Sequence, residues 1–413
     1  MIKTYLIQLS TPQTPSDPYD LEELKELALQ VGLTPKDTFL QHGSKPTAAF
    51  GIGKGKVAEL KRLIDANAIQ MVVFFNELSN TQMRNLEAEW GVEVIDRTML
   101  VLELLSQHAQ SNLAKKLVAI TQKRYLLPRL SAITQISDRQ QGGIGLKGPG
   151  ETALELNRRV LEKDISKLQK AIQKEKKVRA QNRKHRLKKS IPTISIVGYT
   201  NAGKSTLLNH FLDGASPEKH VFANDQLFAT LEPKSRRIER PHIPPMVLSD
   251  TVGFISKMPD HLTQSFIATL EEIETSELIL IVLDASSPYL DTHLETTHAM
   301  LDQLNVKDIP KLYVLNKMDR RKDAEDFLFY HHPYVKISLK TQMGLDALET
   351  AIIEHLFASS IDKTYLIPFS ADHVQYQIKE SAWIHQETQT DEGTLLHVKI
   401  PPSMLSSLKH YEV

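Results

Sequence analysis

The chain has 413 residues, of which 41% are apolar, 24% are charged and none is cysteine. The length exceeds one ordinary core and predicts about two to four domains; the composition excludes a disordered or fibrous chain, and the missing thiols exclude disulfides and thiolate metal sites. Formal net charge is zero, yet the segment from Arg158 to Lys189 carries fourteen Lys or Arg against three acids, so charge is segregated along the chain.

Met1 to Ser10 is a short alternating apolar run with no basic segment, long apolar core or small-residue cleavage site. Nothing approaches a membrane-spanning length of apolar residues, so a cytoplasmic protein is expected. Asp20 followed by Glu23 has capping-box form and predicts a helix over Leu21 to Val31, stopped by Gly32. Apolar runs at Ala48 to Phe50, Met71 to Phe75 and Val92 to Ile95 then alternate with helical patterns at Val57 to Asp65, Thr81 to Glu89 and Met99 to Gln107. Strands separated by helices predict a small, mostly parallel α/β domain over 1–108.

From Ser111 the pattern is helical, with expected breaks at Leu127-Pro128 and at the glycine-rich loop Gly142 to Gly150. Leu154, Leu161 and Leu168 recur every seven positions, with Ile165 and Ile172 in the adjacent stripe, the signature of a two-helix or coiled-coil segment over 109–190. Its fourteen cations can displace counterions from RNA phosphates; a merely solvated coiled-coil face normally mixes both signs. Pro192 closes this segment. Five apolar runs alternating with helices follow over 191–360. The last part, 361–413, contains Tyr365 to Ile367, Leu395 to Ile400 and a turn signal at Asp391-Glu392-Gly393, and predicts a small α+β domain.

Gly198-Tyr199-Thr200-Asn201-Ala202-Gly203-Lys204-Ser205, followed by Thr206, has the form G-x-x-x-x-G-K-S between a strand-like run, Ile194 to Val197, and a helix. Such a loop curls its N–H groups around anionic oxygens at the helix's positive end. Lys204 is expected at the β and γ phosphates and the Ser205 hydroxyl on Mg²⁺. Asp250-Thr251-Val252-Gly253 fits D-x-x-G, with Asp250 toward Mg²⁺ and the Gly253 N–H toward the γ-phosphate, though this string alone is weak. Asn316-Lys317-Met318-Asp319 fits N-K-x-D. Asp319 can accept from both N1–H and N2–H₂ of guanine, whereas adenine would leave the carboxylate unpaired. Ser338-Leu339-Lys340 follows the next apolar run, where a loop can meet guanine O6. Thr230, within Phe228-Ala229-Thr230-Leu231-Glu232, is the candidate switch threonine and second metal ligand. Lys204, Thr230, Asp250 and Gly253 are the expected catalytic set, at the carboxyl edge of one sheet. Phe254 occupies the position after Gly253, where many small GTPases carry a water-orienting glutamine; a phenyl ring cannot do this, and a plain core role fits equally.

The run Gly142 to Thr152, the string Gly198 to Thr206, Asp225 to Leu231 and Asp250 to Phe254 together resemble HflX-type GTPases, of the OBG/HflX-like group in the TRAFAC class. The resemblance extends to Gly53-Lys54-Gly55-Lys56 and to Tyr125 through Leu130. It implies a P-loop GTPase domain, with a mostly parallel sheet flanked by helices, preceded by a small α/β domain and a helical coiled-coil segment and followed by a small α+β domain. It further implies GTP and GDP as substrate and product, Mg²⁺ as cofactor, and a monomer that binds the large (50S) ribosomal subunit and its rRNA and splits stalled or idle ribosomes, notably under heat stress. A hydrophobic residue in place of the glutamine is a family trait that Phe254 matches. Purine-nucleotide binding and RNA remodelling by the N-terminal half would place Gly51 to Lys56 at a second nucleotide, although an ordinary strand-to-helix turn explains that loop. His108 to Leu113 departs from a usually more basic run, and Leu146-Lys147 and Ala153-Leu154 vary the flanks of the glycine loop. Two functions remain open: a ribosome-splitting enzyme, or an RNA-binding switch, hibernation factor or assembly factor in which GTP only sets affinity.

Overall fold

The structure is a computed structural model of the whole chain. It describes all residues except 1, 110, 141–152, 188–190, 213–233, 241–242, 252, 258–269, 271–272, 305 and 322–331. The glycine loop 142–150 and Phe228 to Glu232 therefore lie outside the described residues, as does Val252. Among the described residues the chain divides into two compact units, 1–177 and 178–413.

The first unit opens with β1 (Ile2–Ser10), buried on both faces from Thr4 onward. Helix α1 (Pro18–Gln30) follows. Its N-cap is Asp17 rather than Asp20: the Asp17 Oδ1 accepts from Tyr19 N–H at 2.9 Å and the Asp20 Oδ2 accepts from Asp17 N–H at 3.0 Å. Pro18 explains the earlier start, since the first helical position needs no N–H and favours its fixed φ. The next elements are β2 (Leu33–His42), α2 (Lys54–Asn67), β3 (Met71–Phe74), α3 (Asn80–Trp90), β4 (Glu93–Asp96) and α4 (Arg97–His108). The strands form one parallel sheet in the order β2-β1-β3-β4. Ala48 to Phe50, expected as a strand, is a turn between the bridged residues Thr47 and Gly51. Ile7, Val72, Phe74, Leu60, Ile64 and Trp90 pack between this sheet and α2 and α3, each large apolar side chain contributing on the order of 2 kcal/mol.

Helix α5 (Asn112–Gln140) runs through Pro128, so the break expected there is absent. The missing N–H removes one rung of the ladder, and the flanking turns still hold the helical path; Asn80 Nδ2 donates to the Pro128 carbonyl at 2.6 Å. Helix α6 (Ala153–Leu187) pairs antiparallel with α5, as the ion pairs Lys116–Glu175 and Lys123–Asp164 (3.0 Å) fix the register. Leu161, Ile165 and Leu168 are half-buried and Ile172 is buried, while Arg158, Lys163, Lys167, Lys170 and Lys174 are exposed. From Leu161 to Ile172 the predicted heptad stripe is thus the covered face of α6, and these cations lie off it.

The second unit is built on a six-stranded sheet, β10-β9-β8-β5-β7-β6. Its strands are β5 (Thr193–Gly198), β6 (Lys234–Arg240), β7 (Ile243–Asp250), β8 (Leu278–Asp284), β9 (Lys311–Asn316) and β10 (Tyr334–Lys336). All neighbours are parallel except the β6–β7 pair at the edge. Alternation along the inner strands feeds two cores. Ile194, Ile196, Leu280, Val282, Leu312 and Val314 meet helix α7 (Lys204–Phe211) and the helix Leu345–Leu356. Val197, Ile279, Ile281, Tyr313 and Leu315 meet the helix Leu290–Asp302. Beyond this sheet, β11 (Ile361–Ile367), β12 (Trp383–Gln389) and β13 (Thr394–Ile400) form an antiparallel sheet in the order β11-β13-β12 against the helix Asp372–Ser381. Arg237 on the edge strand β6 faces Glu380 on that helix at 3.4 Å.

Candidate nucleotide-binding site

The loop between β5 and α7 is shaped by its neighbours as much as by its own glycines. Gly203 has φ +102°, and a Cβ there would lie 2.3 Å from Asn316 Nδ2, so only glycine fits. The Asn316 side chain joins two loops: its Nδ2 donates to the Ala202 carbonyl at 2.9 Å and its Oδ1 accepts from Leu339 N–H at 3.2 Å. Lys317 extends the same contact, donating to the Asn201 carbonyl at 2.7 Å while pairing with Asp284 at 2.8 Å. Asn201 and Lys317 both hold left-handed backbones, φ +60° and +62°, a conformation costly for non-glycine residues and concentrated at functional sites. The N-K-x-D string therefore braces the phosphate loop as well as offering Asp319.

Asp319 is exposed, and the Ser338 Oγ donates to its Oδ1 at 2.7 Å. That hydrogen bond is the main cause holding its carboxyl below the ordinary range, aided by the cations Lys340 and Arg320. It is an acceptor-only group at neutral pH. Leu339 is half-buried against the core, Met318 packs on the opposite core, and Lys340 is exposed.

At the phosphate end, Lys204 is buried and donates to the Tyr199 carbonyl at 2.6 Å. Burial pulls its ammonium down to about 8, the Asp250 carboxylate opposing and Lys317 assisting. Ser205 Oγ donates to Asp250 Oδ2 at 2.6 Å, so the expected ligand Ser205 and the carboxylate expected toward Mg²⁺ lie side by side; the other expected ligand, Thr230, lies outside the described residues. Thr206 is exposed. Thr251 is buried and its hydroxyl donates to the Ile196 carbonyl at 2.7 Å, a tie between β7 and β5.

The segment after D-x-x-G is docked on the phosphate loop. Phe254 N–H donates to the Gly198 carbonyl at 3.1 Å and Thr200 N–H to the Phe254 carbonyl at 2.9 Å. Ser256 N–H donates to the Tyr199 hydroxyl at 2.7 Å, and the Tyr199 ring stacks on His293 with centroids 4.0 Å apart. Phe254 is 2% exposed and packs among Val197, Ile279 and Ile281, so its ring is a core residue.

Sequence reasoning missed Asp284, which also accepts from the Ser286 N–H and Oγ through its Oδ1. The available signal was an acid ending an apolar run, Leu278 to Leu283, at the same carboxyl edge as the other motifs. It missed His293 too, whose partner lies on another element.

Three family profiles match in chain order: GTP-binding GTPase N-terminal over residues 18–105, GTP-binding GTPase Middle Region over 108–186, and 50S ribosome-binding GTPase over 193–317. GTPase HflX of Caldanaerobacter subterraneus subsp. tengcongensis is 34% identical over 409 residues, covering 99% of this chain and 94% of that relative. The chain belongs to the HflX family of GTPases. HflX of Escherichia coli is 35% identical over 390 residues, 93% of this chain and 90% of the relative. A GTP-binding protein from Sulfolobus solfataricus, solved with GDP, is similar at 23% identity and a TM-score of 0.45, covering 86% of this chain and 99% of that one. This HflX-family chain accordingly binds GTP and GDP and hydrolyses GTP. Among its described residues no helix is long and apolar enough to cross a membrane.

Proposed function

We propose that this chain is a Mg²⁺-dependent, monomeric cytoplasmic GTPase that binds the 50S subunit and separates stalled or idle 70S ribosomes, its hydrolysis stimulated by the subunit. We read 1–108 and 109–190 as the parts that carry it on the ribosome, 191–360 as the GTPase domain and 361–413 as an appendage to it. In this reading the loop Gly198 to Ser205 cradles the phosphates with its N–H groups, Lys204 meets the β and γ phosphates, and the Gly253 N–H meets the γ-phosphate. Asp319, with the loop Ser338 to Lys340, reads guanine.

The donor set suits Mg²⁺. Ser205 Oγ and Asp250 Oδ2 are hard oxygens 2.6 Å apart, and no cluster of three or more His, Asp or Glu side chains surrounds a metal among the described residues. Mg²⁺ characteristically takes one or two protein oxygens and fills its shell with water and phosphate. Thr230, outside the described residues, would complete that set. Held there by Ser205 and Asp250, the ion would supply positive charge against the charge developing on the phosphoryl oxygens. The chain's own contribution is positioning and electrostatic: Lys204 and the loop N–H groups aim at oxygens whose charge grows as the γ-phosphate is transferred. Phe254, turned into the core, cannot orient water from the position after Gly253, which supports slow intrinsic turnover and completion by a partner.

The observation that carries the ribosomal part is the charge of the segment from Arg158 to Lys189, fourteen cations against three acids, with Arg158, Lys163, Lys167, Lys170 and Lys174 exposed and off the apolar stripe of α6. An RNA backbone matches such a surface. The family profile over 193–317, described as a 50S ribosome-binding GTPase, supports the same partner. Sucrose-gradient analysis of 70S particles mixed with the protein tests it: GTP should shift material into subunits, and a non-hydrolysable analogue should leave the protein on the large subunit. If neither nucleotide changes the 70S peak, the splitting reading is wrong and GTP only sets affinity.

A further inference from the structure

Tyr199 carries a hydroxyl that its burial does not explain. The residue follows the first glycine of the phosphate loop, and at 1% exposure it is among the largest fully buried side chains of the described residues. Its ring stacks on His293, from the helix Leu290–Asp302, with the two planes 15° apart. Phenylalanine would give the same burial and the same stack without desolvating a hydroxyl. The hydroxyl oxygen accepts from the Ser256 N–H at 2.7 Å, and Ser256 is itself buried.

That bond sits just beyond an irregularity in the sheet. The parallel β5–β7 ladder ends with Ile196 opposite Asp250 and resumes as a single bridge between Tyr199 and Phe254. Two residues, Val197 and Gly198, separate these pairings on one side and three, 251–253, on the other, the residue count of a β-bulge. Before the irregularity, the Thr251 N–H and hydroxyl both donate to the Ile196 carbonyl, at 3.2 and 2.7 Å. After it, the Phe254 N–H is tied to Gly198 and the Ser256 N–H to the Tyr199 side chain. Between the two anchors lies Gly253, on which a Cβ would stand 3.1 Å from Lys204 Nζ. The glycine of D-x-x-G is thus held beside the lysine of the phosphate loop.

We propose that Tyr199 is a positioning residue for GTP: through Ser256 it clamps the segment after D-x-x-G to the phosphate loop and so fixes the Gly253 N–H for the γ-phosphate. The inference rests on the nucleotide site proposed above and adds to it the side chain that holds Gly253 in place. His293 backs the Tyr199 ring, so the accepting oxygen is fixed by packing on the far side from the segment it holds. GDP has no γ-phosphate and makes no demand on Gly253, so the clamp favours GTP. In Y199F the docked segment would leave the buried Ser256 N–H without this acceptor, whereas the undocked segment gives it to water, and the balance moves toward undocking.

The test compares full-length wild type and Y199F by amide hydrogen exchange and by titration with GDP and with the β,γ-imido analogue of GTP. Loss of the acceptor for one buried N–H corresponds to roughly a tenfold change in an equilibrium. Exchange at the Ser256 amide of Y199F should quicken about tenfold, while the amides of the inner strand β8 keep wild-type rates. The analogue should bind Y199F about three- to tenfold more weakly, and GDP affinity should change less than about twofold. Unchanged exchange at Ser256, equal losses for both nucleotides, or no loss for either would each overturn the proposal. Faster exchange throughout β8 would overturn it too, by making Tyr199 a support of the whole sheet. Wild type that binds neither nucleotide, or K204A that binds both as tightly as wild type, would instead overturn the parent reading of the site, on which the exchange at Ser256 does not depend.

Discussion

The Asp319 carboxyl is set by a partner, not by burial: the Ser338 hydroxyl donates to one of its oxygens and is the main cause holding the group below the ordinary carboxylate range. Asp319→Asn turns one acceptor into a donor facing two guanine N–H groups. GTP and GDP binding should weaken by roughly 1 to 3 kcal/mol, measured by titration with labelled GDP, and unchanged affinity would remove the base-reading role. At this scale the sequence was unusually legible. Phosphate and base chemistry demand particular residue types in contiguous strings, so Gly198 to Ser205, Asp250 to Gly253 and Asn316 to Asp319 can be found without a structure. What could not be read were partnerships between strings. That Asn316 braces Ala202 and Leu339, that Tyr199 sits between Ser256 and His293, and that Lys317 pairs with Asp284 all depend on which strand ends become neighbours.

Among elements, legibility followed position in the sheet. Met71–Phe74, Thr193–Gly198, Leu278–Asp284 and Lys311–Asn316 are inner strands with both faces covered, and they read as apolar runs. The strands that escaped notice, Leu33–His42, Lys234–Arg240 and Trp383–Gln389, are each at the edge of their sheet. Edge strands keep a solvated face and carry charge, which erases the apolar pattern. The opposite error, taking Ala48 to Phe50 for a strand, came from three apolar residues that belong to a turn. Pro128 in α5 misled because a proline ordinarily ends a helix, whereas here the helix tolerates it. Pro128→Ala restores the missing backbone donor and should raise the urea midpoint by an amount equivalent to about 1 to 3 kcal/mol; a lowered midpoint would mean that α5 needs the bend for its packing. The basic segment from Arg158 to Lys189 has its own test. Replacing Arg183, Lys184, Arg186, Lys188 and Lys189 by glutamine should flatten the salt dependence of large-subunit binding, each lost phosphate contact lowering the log-log slope by somewhat under one. GDP affinity of the isolated protein should hold. An unchanged slope would show that these cations face solvent, and lost GDP binding would make the segment structural to the nucleotide domain.

In the whole molecule, the motif loops at the carboxyl edge of the six-stranded sheet follow in the chain a helical pair that carries a dense run of cations. The segregation of charge was visible in the sequence, because the cations crowd into one stretch, Arg158 to Lys189. The central claim is that hydrolysis is completed by a ribosomal partner, since the buried Phe254 ring cannot orient water as a glutamine there would. Steady-state GTP turnover by the purified full-length protein, measured with and without 50S subunits, tests it most directly. The account predicts slow turnover alone and an increase of about 10³-fold or more with subunits, on the scale that partner-supplied groups give other GTPases; equal rates in the two conditions would contradict it.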